Sequence, residues 1–131
     1  MEDLKMSVKY NVIERHNPGN PTAPKKHYPS VVSSGRKNLR QISKTIANIS
    51  TLSSTDVMAA IEAFLNVIPE ELADGNIVEL GDFGNFWLRI NTEGTATAEE
   101  VSTAQITRVL PRFSPGKEFK KVLQEVDFKK A

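Results

Sequence analysis

The chain has 131 residues, enough for one domain with a single core, and its 39% apolar and 25% charged residues are typical of a globular protein. It contains no cysteine, which excludes disulfides, thiolate metal ligands and a cysteine nucleophile. The net charge is only +1, but basic residues outnumber acidic ones in residues 1–40 and 112–131 and are outnumbered in residues 41–111. Basic ends around an acidic middle indicate an anionic partner, although lysines and arginines that merely solvate exposed segments would give the same distribution.

The hydropathy of the chain bears on its location. No apolar run reaches the length of a membrane span. The N-terminal residues MEDLKMSVKY lack the apolar centre of a signal peptide. We therefore expect a cytoplasmic protein with no membrane partner.

The first 35 residues are predicted to form one or two short strands and a proline-rich basic loop. Val8, Tyr10 and Val12 alternate with other residues at the period of a strand. Residues 15–29 contain four prolines, which exclude a helix or a central strand. A second short strand is expected around residues 31–32.

Two helices are predicted next. Apolar residues recur at spacings of three and four in residues 39–49, which indicates one apolar helix face. Ser53 is predicted to cap a second helix, with Asp56 three residues later in the place of a capping-box acid. This helix is expected to be kinked by Pro69 and to end before Gly75. Its buried face is expected to consist of Val57, Ala60, Ile61, Phe64, Ile68 and Leu72.

Three strands follow in the predicted order. Residues 76–80 and 85–90 are two of them, and residues 81–84, with the sequence GDFG, form the turn or bulge between them. Residues 91–104 are small, polar and acidic, so we expect a long hairpin connection. The third strand is predicted in residues 105–113.

A final helix is predicted from the sequence SPGKEFKKVLQEV. Ser114 is expected to cap this helix and Pro115 to take its first position. Its buried face is expected to consist of Phe119, Leu123 and Val126.

Three motifs, in this order and at this spacing, are similar to those of the HU/IHF family of bacterial DNA-binding proteins. The segment LSSTDVMAAIEAFLNVIPEELADGNIVEL resembles the family's second helix and first strand, GDFGNF its Gly-Phe-Gly-x-Phe turn, and RFSPGK its Phe-x-Pro-Gly-Lys segment. The resemblance covers about residues 38–126. The N-terminal MSVKYNVIERHNPGNPTAPKK is foreign to ordinary HU and resembles an HU-like subgroup with an added N-terminal segment. In that subgroup Met6 would be the start and MEDLK an extension.

The resemblance implies an α+β fold of HU/IHF type. Two N-terminal helices would pack on a three-stranded antiparallel β-saddle with a shortened β-arm and a C-terminal helix. It also implies an N-terminal extension at residues 1–35, with one or two short strands, and an HU-like domain at residues 36–131. Family members are intertwined homodimers, and the resemblance assigns to the dimer core Phe64, Phe83, Phe86 and Phe113.

The arm of this chain departs from the family pattern. Family arms follow the minor groove, and a proline at each tip wedges between base pairs. Arg89 aligns with the first arm arginine, but the next one falls on Asn91, and there is no proline between Ile90 and Leu110. The connection is also shorter, and it carries acidic side chains that would repel phosphate, namely Glu93, Glu99 and Glu100. The intercalating mechanism is therefore not expected here.

Other basic residues remain candidates for phosphate contact. By the resemblance, Lys117 aligns with the lysine after Pro-Gly and Lys120 with a lysine of the saddle, while Lys121, Arg108 and Arg112 lie nearby in the sequence. The alternative for the helix lysines is a solvated face. A replacement basic patch is expected from the N-terminal candidates Lys25, Lys26, Arg36, Lys37 and Arg40.

The remaining residues of note favour structural roles. Trp87 could stack on a base, but a lone strand tryptophan more often packs under a loop or at a subunit interface, which we favour. His16 and His27 lack partners at metal-ligand spacing. The sequence contains no catalytic motif and no phosphate-binding glycine loop. We expect no enzyme, metal, cofactor or small-molecule substrate.

The sequence therefore predicts a homodimeric HU-like protein of the bacterial nucleoid. It would bind the phosphate backbone of DNA with little sequence specificity and with reduced or no intercalative bending. The alternative is an HU-fold structural or protein-interaction module that has lost DNA binding, which the acidic connection favours. The choice between DNA and RNA, and a heterodimer with an ordinary HU chain, stay open at this point.

Overall fold

The structure, a computed structural model, describes residues 7–131, and the contacts of the chain divide it into two compact units. The central unit is Leu39–Lys121, and the terminal unit joins Met1–Asn38 to Val122–Ala131. The predicted start at Met6 lies outside the described residues. The expected division into domains at residues 1–35 and 36–131 stays a prediction. In the structure, the contacts of Val122–Ala131 group the end of the chain with the N-terminal segment.

The described residues form strands and α-helices in the following order. The elements are β1 (Ser7–Arg15), β2 (Lys26–Val32), α1 (Leu39–Asn48), α2 (Ser54–Ala73), β3 (Val78–Glu79), β4 (Gly84–Thr92), β5 (Ile106–Pro115), α3 (Lys117–Gln124) and β6 (Asp127–Lys130). Short 3₁₀ turns lie at Gly81–Phe83, Ala98–Glu100 and Thr103–Gln105.

The terminal unit contains a three-stranded sheet in the order β2-β1-β6. β1 and β2 are antiparallel, with Tyr10 opposite Val31 and Val12 opposite Pro29. The first predicted strand is confirmed, but β2 begins at Lys26, so the prediction placed its start too late. Pro29 is tolerated within β2 because this strand lies at the sheet edge, where a missing N–H need not break the ladder.

The third strand of this sheet was not predicted from the sequence. α3 ends at Gln124, so Val126 lies outside it, and β6 follows at Asp127–Lys130. β6 runs parallel to β1, with Val8 opposite Phe128. Four residues are too short for a period to be recognised, and the partner strand lies at the opposite end of the chain.

The helices of the central unit begin and end largely where local signals place them. Ser53 caps α2, and its hydroxyl accepts a hydrogen bond from the Asp56 N–H at 3.1 Å, so the predicted cap is confirmed. At the other end Gly75 has a φ of 85°, and its N–H donates to the Leu72 carbonyl at 3.0 Å. This is the glycine-dependent helix ending that the sequence predicted. The kink at Pro69, which lies inside α2, stays a prediction.

The second sheet has the order β3-β4-β5 and is antiparallel throughout. The predicted strand at residues 76–80 shortens to Val78–Glu79, whereas β4 extends beyond its predicted end to Thr92. Beyond the paired strands, the Glu93 N–H donates to the Gln105 carbonyl at 3.0 Å and closes the long connection. The predicted hairpin is therefore confirmed.

The start of α3 differs from the prediction. Ser114 and Pro115 belong to β5, opposite Asn85 and Gly84 respectively, and the helix begins only at Lys117. Ser114 therefore does not cap α3, and Pro115 is not its first residue. The pattern Ser-Pro before a helix is a local signal, and here the pairing with β4 overrides it.

Few side chains are buried within one chain. Among the described residues the buried ones are Val57, Leu72 and Ser43. The predicted inner face of α2 is thus only partly correct, because Phe64 is 44% exposed and Ala60 is exposed as well. On α3 the prediction fails for Leu123, which is 57% exposed. None of the described residues covers these apolar groups.

Candidate nucleic-acid interface

The β4–β5 hairpin sorts its side chains by chemistry, because successive residues of a strand point to opposite faces. Trp87 pairs with Arg112, Arg89 with Leu110, and Asn91 with Arg108. Cross-strand partners share a face, so the three arginines lie on the same one. We call this the arginine face; it consists of Asn85, Trp87, Arg89, Asn91, Arg108, Leu110, Arg112 and Ser114.

None of the residues that make up the arginine face carries a carboxylate, so no acidic side chain among them offsets the positive charge of the arginines. Arg89 lies diagonally between Arg108 and Arg112, and such diagonal neighbours are about 7–8 Å apart in an antiparallel pair. All three side chains are exposed, and Trp87 is half-buried beside them. Glu79 of β3 pairs with Asn85 and so lies on the same side of the sheet, at the end away from Arg108. Three fixed positive charges at this spacing favour an extended anion.

The opposite face of the hairpin is apolar. Phe86 pairs with Phe113, Leu88 with Pro111, and Ile90 with Val109. Leu88 is 37% exposed, Ile90 45% and Val109 57%, so much of this face is open in one chain. The hairpin is therefore amphipathic, with one side suited to protein packing and the other to an anionic partner.

Phenylalanines anchor α3 to this apolar face. The Phe113 ring centroid lies 4.7 Å from that of Phe86, 5.5 Å from that of Phe83 and 5.8 Å from that of Phe119. Phe83 and Phe119 also meet edge to face at 5.1 Å. Three of the four predicted dimer-core phenylalanines are thus brought together, while Phe64 lies on α2. Their role in a dimer stays a prediction.

The α3 lysines lie on the side of the helix away from this cluster. Lys117, Lys120 and Lys121 are exposed and are separated by three and four residues, which places them on one helix face. Phe119, two residues after Lys117, points to the other side. The same helix therefore carries an apolar anchor and a basic stripe.

The structure distributes the N-terminal candidates over different elements. Lys25 lies in the loop before β2 and Lys26 at its first residue, while Arg36 and Lys37 lie between β2 and α1. These four belong to the terminal unit, whereas Arg40 is on α1 in the central unit. They do not share one element or one face.

The acidic connection lies beyond the last paired residues of the hairpin. Glu93, Glu99 and Glu100 are exposed, and the last two lie in the short 3₁₀ turn Ala98–Glu100. Glu93 directly follows β4, two residues beyond Asn91 of the arginine face, whereas Glu99 and Glu100 lie farther out in the connection.

The histidines take no part in a recognisable site. His27 Nε2 lies 3.1 Å from Glu14 Oε1 on the terminal sheet, with both side chains largely exposed, and His16 is exposed. Within residues 7–131, no group of three or more acidic or histidine side chains is placed to hold a metal ion. None of the helices in this range is long and apolar enough to cross a membrane.

Comparison with known proteins yields a coherent set of relatives. A family model described as an HU domain fused to a wHTH, Ig or glycine-rich motif matches residues 6–130. The DNA-binding proteins HU-alpha of Salmonella typhimurium and Escherichia coli are each 34% identical over 87 residues, 63% of this chain and 94% of theirs.

Two solved structures share the fold. The HU protein of Anabaena, solved in a co-crystal with DNA, aligns with a TM-score of 0.52 and 23% identity over 66% of this chain and 97% of that one. A protein of Bacteroides vulgatus, provisionally described as a bacterial DNA-binding protein, aligns with a TM-score of 0.66 and 12% identity over 96% of this chain. The chain spans only 48% of the length of that protein.

A helical pair, an amphipathic hairpin and a Gly-Asp-Phe-Gly turn against a Pro-Gly segment define an HU-type protein. The chain belongs to the family of HU domains fused to a wHTH, Ig or glycine-rich motif, whose model matches nearly its whole length. The predicted resemblance to the HU/IHF family of bacterial DNA-binding proteins is thereby confirmed.

Proposed function

We propose that this protein is a homodimeric DNA-binding protein of the bacterial nucleoid. It contacts the phosphate backbone with little sequence preference and with weak or no kinking of the duplex. The observation that carries the proposal is the arginine face, on which Arg89, Arg108 and Arg112 lie together, with no carboxylate contributed by β4 or β5. The relatives named for DNA binding support it.

Arginine suits a phosphate partner for geometric reasons. Its planar guanidinium presents several N–H groups and binds phosphate oxygens through two parallel hydrogen bonds. Such contacts fix the position of a protein on the duplex but carry no sequence information directly. Lys117, Lys120 and Lys121 on α3 would extend the same chemistry.

The weak bending follows from the hairpin tip. An intercalating arm needs an apolar wedge, usually a proline, that enters a base step and unstacks it. The connection between β4 and β5 has no proline, and it carries Glu93, Glu99 and Glu100. A negatively charged tip approaches a phosphate-lined groove at an electrostatic cost, so the tip should stay outside it.

Dimerisation is supported by the apolar surface that one chain leaves open. Ile49 is 82% exposed, Ile77 67% and Leu65 55%, all within the central unit. Apolar groups of this number at the surface of one chain are characteristic of an interaction surface. A second copy would cover them and would place two arginine faces in one molecule.

The test is a titration of mixed-sequence duplex DNA at several salt concentrations. We expect binding whose log K falls by about 0.9 per phosphate contact for each decade of salt. The variant Arg89→Ala/Arg108→Ala/Arg112→Ala should bind more weakly and with a shallower slope. Lys44→Ala on α1, which removes an exposed charge outside the candidate set, serves as the control and should match the wild type.

Bending is measured separately, by energy transfer between dyes at the two ends of the bound duplex. We expect little change of the end-to-end distance on binding. A sharp bend would contradict the proposed mechanism even if affinity behaves as expected.

The acidic tip favours one second candidate, an HU-fold interaction module that has lost DNA binding. Under that function the wild type would remain a dimer but would not bind duplex DNA even at low salt. The same titration therefore decides between the two.

A further inference from the structure

The sheet of the terminal unit has a basic side that sequence reasoning did not recognise. In β1 the odd-numbered residues share a face, and the register adds their partners from β2 and β6. On this face Lys9 is opposite Lys129, and Arg15 is opposite Lys26. We call the side bearing these four residues the terminal basic face.

Both basic pairs place like charges directly opposite each other, an arrangement that destabilises a sheet. Among residues 7–131, none of the four side chains forms an ion pair with a carboxylate. The strands contribute one acid to this side, Asp127, at the far end of β6. The positive charge is therefore concentrated and poorly neutralised.

The other side of the sheet shows the opposite arrangement. There Glu14 is cross-strand from His27, with 3.1 Å between the imidazole and the carboxylate. Around them the same side is apolar, and Val12, Val31 and Phe128 border a cleft of about 610 Å³. The two sides of the sheet thus differ in chemistry, and the terminal basic face is the side suited to an anionic ligand.

The spacing of the four charges fits a nucleic-acid strand. Lys9 and Arg15 are six residues apart on β1, which corresponds to about 20 Å at the rise of an extended strand. A DNA strand carries one phosphate per about 3.4 Å of helix axis, so this length spans about six phosphates. Between the two basic pairs lie two cross-strand pairs, Asn11 with Ser30 and Ile13 with Tyr28. The side chains of Asn11 and Ser30 can donate hydrogen bonds to phosphate oxygens.

We propose that the terminal basic face is a second binding surface for the phosphate backbone of duplex DNA, separate from the arginine face. This inference rests on the proposed DNA-binding function and assigns it a further site. An anion between the two basic pairs would screen the repulsion between Lys9 and Lys129 and between Arg15 and Lys26. Because its contacts are to phosphate, this surface does not discriminate between base sequences.

Two neighbouring lysines of β6 provide a matched experiment. Lys129 lies on the terminal basic face, whereas Lys130 pairs with Tyr10 and lies on the other side. Both are exposed, and removal of either changes the net charge equally. In duplex titrations with the full chain, Lys9→Ala/Lys129→Ala should lower the salt slope by about 1.8 per chain. Lys130→Ala should leave the slope unchanged.

A charge reversal separates binding from folding. Lys129→Glu places an acid opposite Lys9 and replaces repulsion by attraction, so the midpoint of thermal unfolding should stay equal or rise. DNA affinity should nevertheless fall at least as far as in Lys129→Ala. Loss of affinity together with a lower unfolding midpoint would overturn the assignment, because it would trace the effect to the fold.

The arginine-face triple variant distinguishes the failure of this inference from the failure of the proposed function. If the arginine-face triple variant weakens DNA binding while Lys129→Ala and Lys130→Ala bind equally well, the second surface is overturned and the proposed function stands. No duplex binding by the wild type overturns both.

A parallel arm uses vesicles of phosphatidylserine and phosphatidylcholine. If binding to these vesicles requires Lys129 while DNA binding does not, the face is assigned to a lipid surface and the inference is overturned.

Discussion

At the scale of the residue, the glycines of the GDFG and Pro-Gly motifs are required by close backbone approach. Gly84 has a φ of 142°, and a Cβ there would collide with the Ser114 carbonyl oxygen and the Phe113 ring. A Cβ on Gly116 would meet the Asp82 carbonyl, and the Gly116 N–H donates to the Phe83 carbonyl at 2.9 Å. The motifs that carry the family resemblance therefore specify how the turn packs against β5.

This packing predicts a large effect of a single methyl group. Gly84→Ala should lower the free energy of unfolding by about 1–3 kcal/mol, because both the φ angle and the contact become strained. Gly94→Ala is the control, since a Cβ there has no atom within 4 Å. Urea denaturation at one protein concentration measures both, and equal stabilities for the two variants would refute the steric explanation.

At the scale of the element, the alternation of side chains along two paired strands places the charged side chains on one surface. β4 and β5 together contain three arginines, and the register places all of them on one side and Phe86, Leu88 and Phe113 on the other. A shift of one residue between the strands would break this separation, because side chains alternate with a period of two. The bulge at Asn91 and Thr92 comes only after the last arginine of β4.

The connection between these strands should weaken DNA binding through its charge. Glu93→Gln/Glu99→Gln/Glu100→Gln removes three negative charges near the interface and should raise the affinity for duplex DNA at low salt. The bend angle should not change, because no wedge is added. Glu62→Gln/Glu70→Gln/Glu71→Gln on α2 removes the same number of exposed charges and is the control for net charge. An affinity gain of the same size there would show that position does not matter.

At the scale of the whole molecule, the single chain buries few apolar side chains. Val57 and Leu72 are its fully buried apolar residues in the described range, while Phe64 on α2 is 44% exposed. Proteins of this size normally have a contiguous core, and open apolar surfaces of this kind are covered by a partner. A homodimer is the proposed partner state.

The proposed dimer should make stability depend on protein concentration. The thermal midpoint should rise with protein concentration, because association stabilises only the folded state, and light scattering should give twice the mass of the chain. Phe64→Asp should abolish the dimer and lower the midpoint, since it places a charge in an apolar interface. Val101→Asp, at a 63% exposed position of the hairpin connection, should change neither. A monomer that unfolds at the same temperature at every concentration would exclude this architecture.

The amino-acid sequence by itself determined the features that depend on neighbouring residues. These include the apolar period of α1, the cap at Ser53, the ending at Gly75, the GDFG turn and the missing proline of the hairpin tip. The family resemblance rested on three local motifs, which are the segment of α2 with β3, the GDFG turn and the Pro-Gly segment. Each is a short-range effect of backbone geometry or side-chain spacing, which one segment of chain carries alone.

Only the tertiary structure decided which distant residues share a surface. β6 pairs with β1 although the two lie at opposite ends of the chain, and this alone places Lys129 opposite Lys9. Likewise, the pairing of β5 with β4 kept Ser114 and Pro115 in a strand where the local pattern favoured a helix start. The physical reason is that strand pairing joins segments that are distant in the sequence through backbone hydrogen bonds, so one segment alone does not specify its partner.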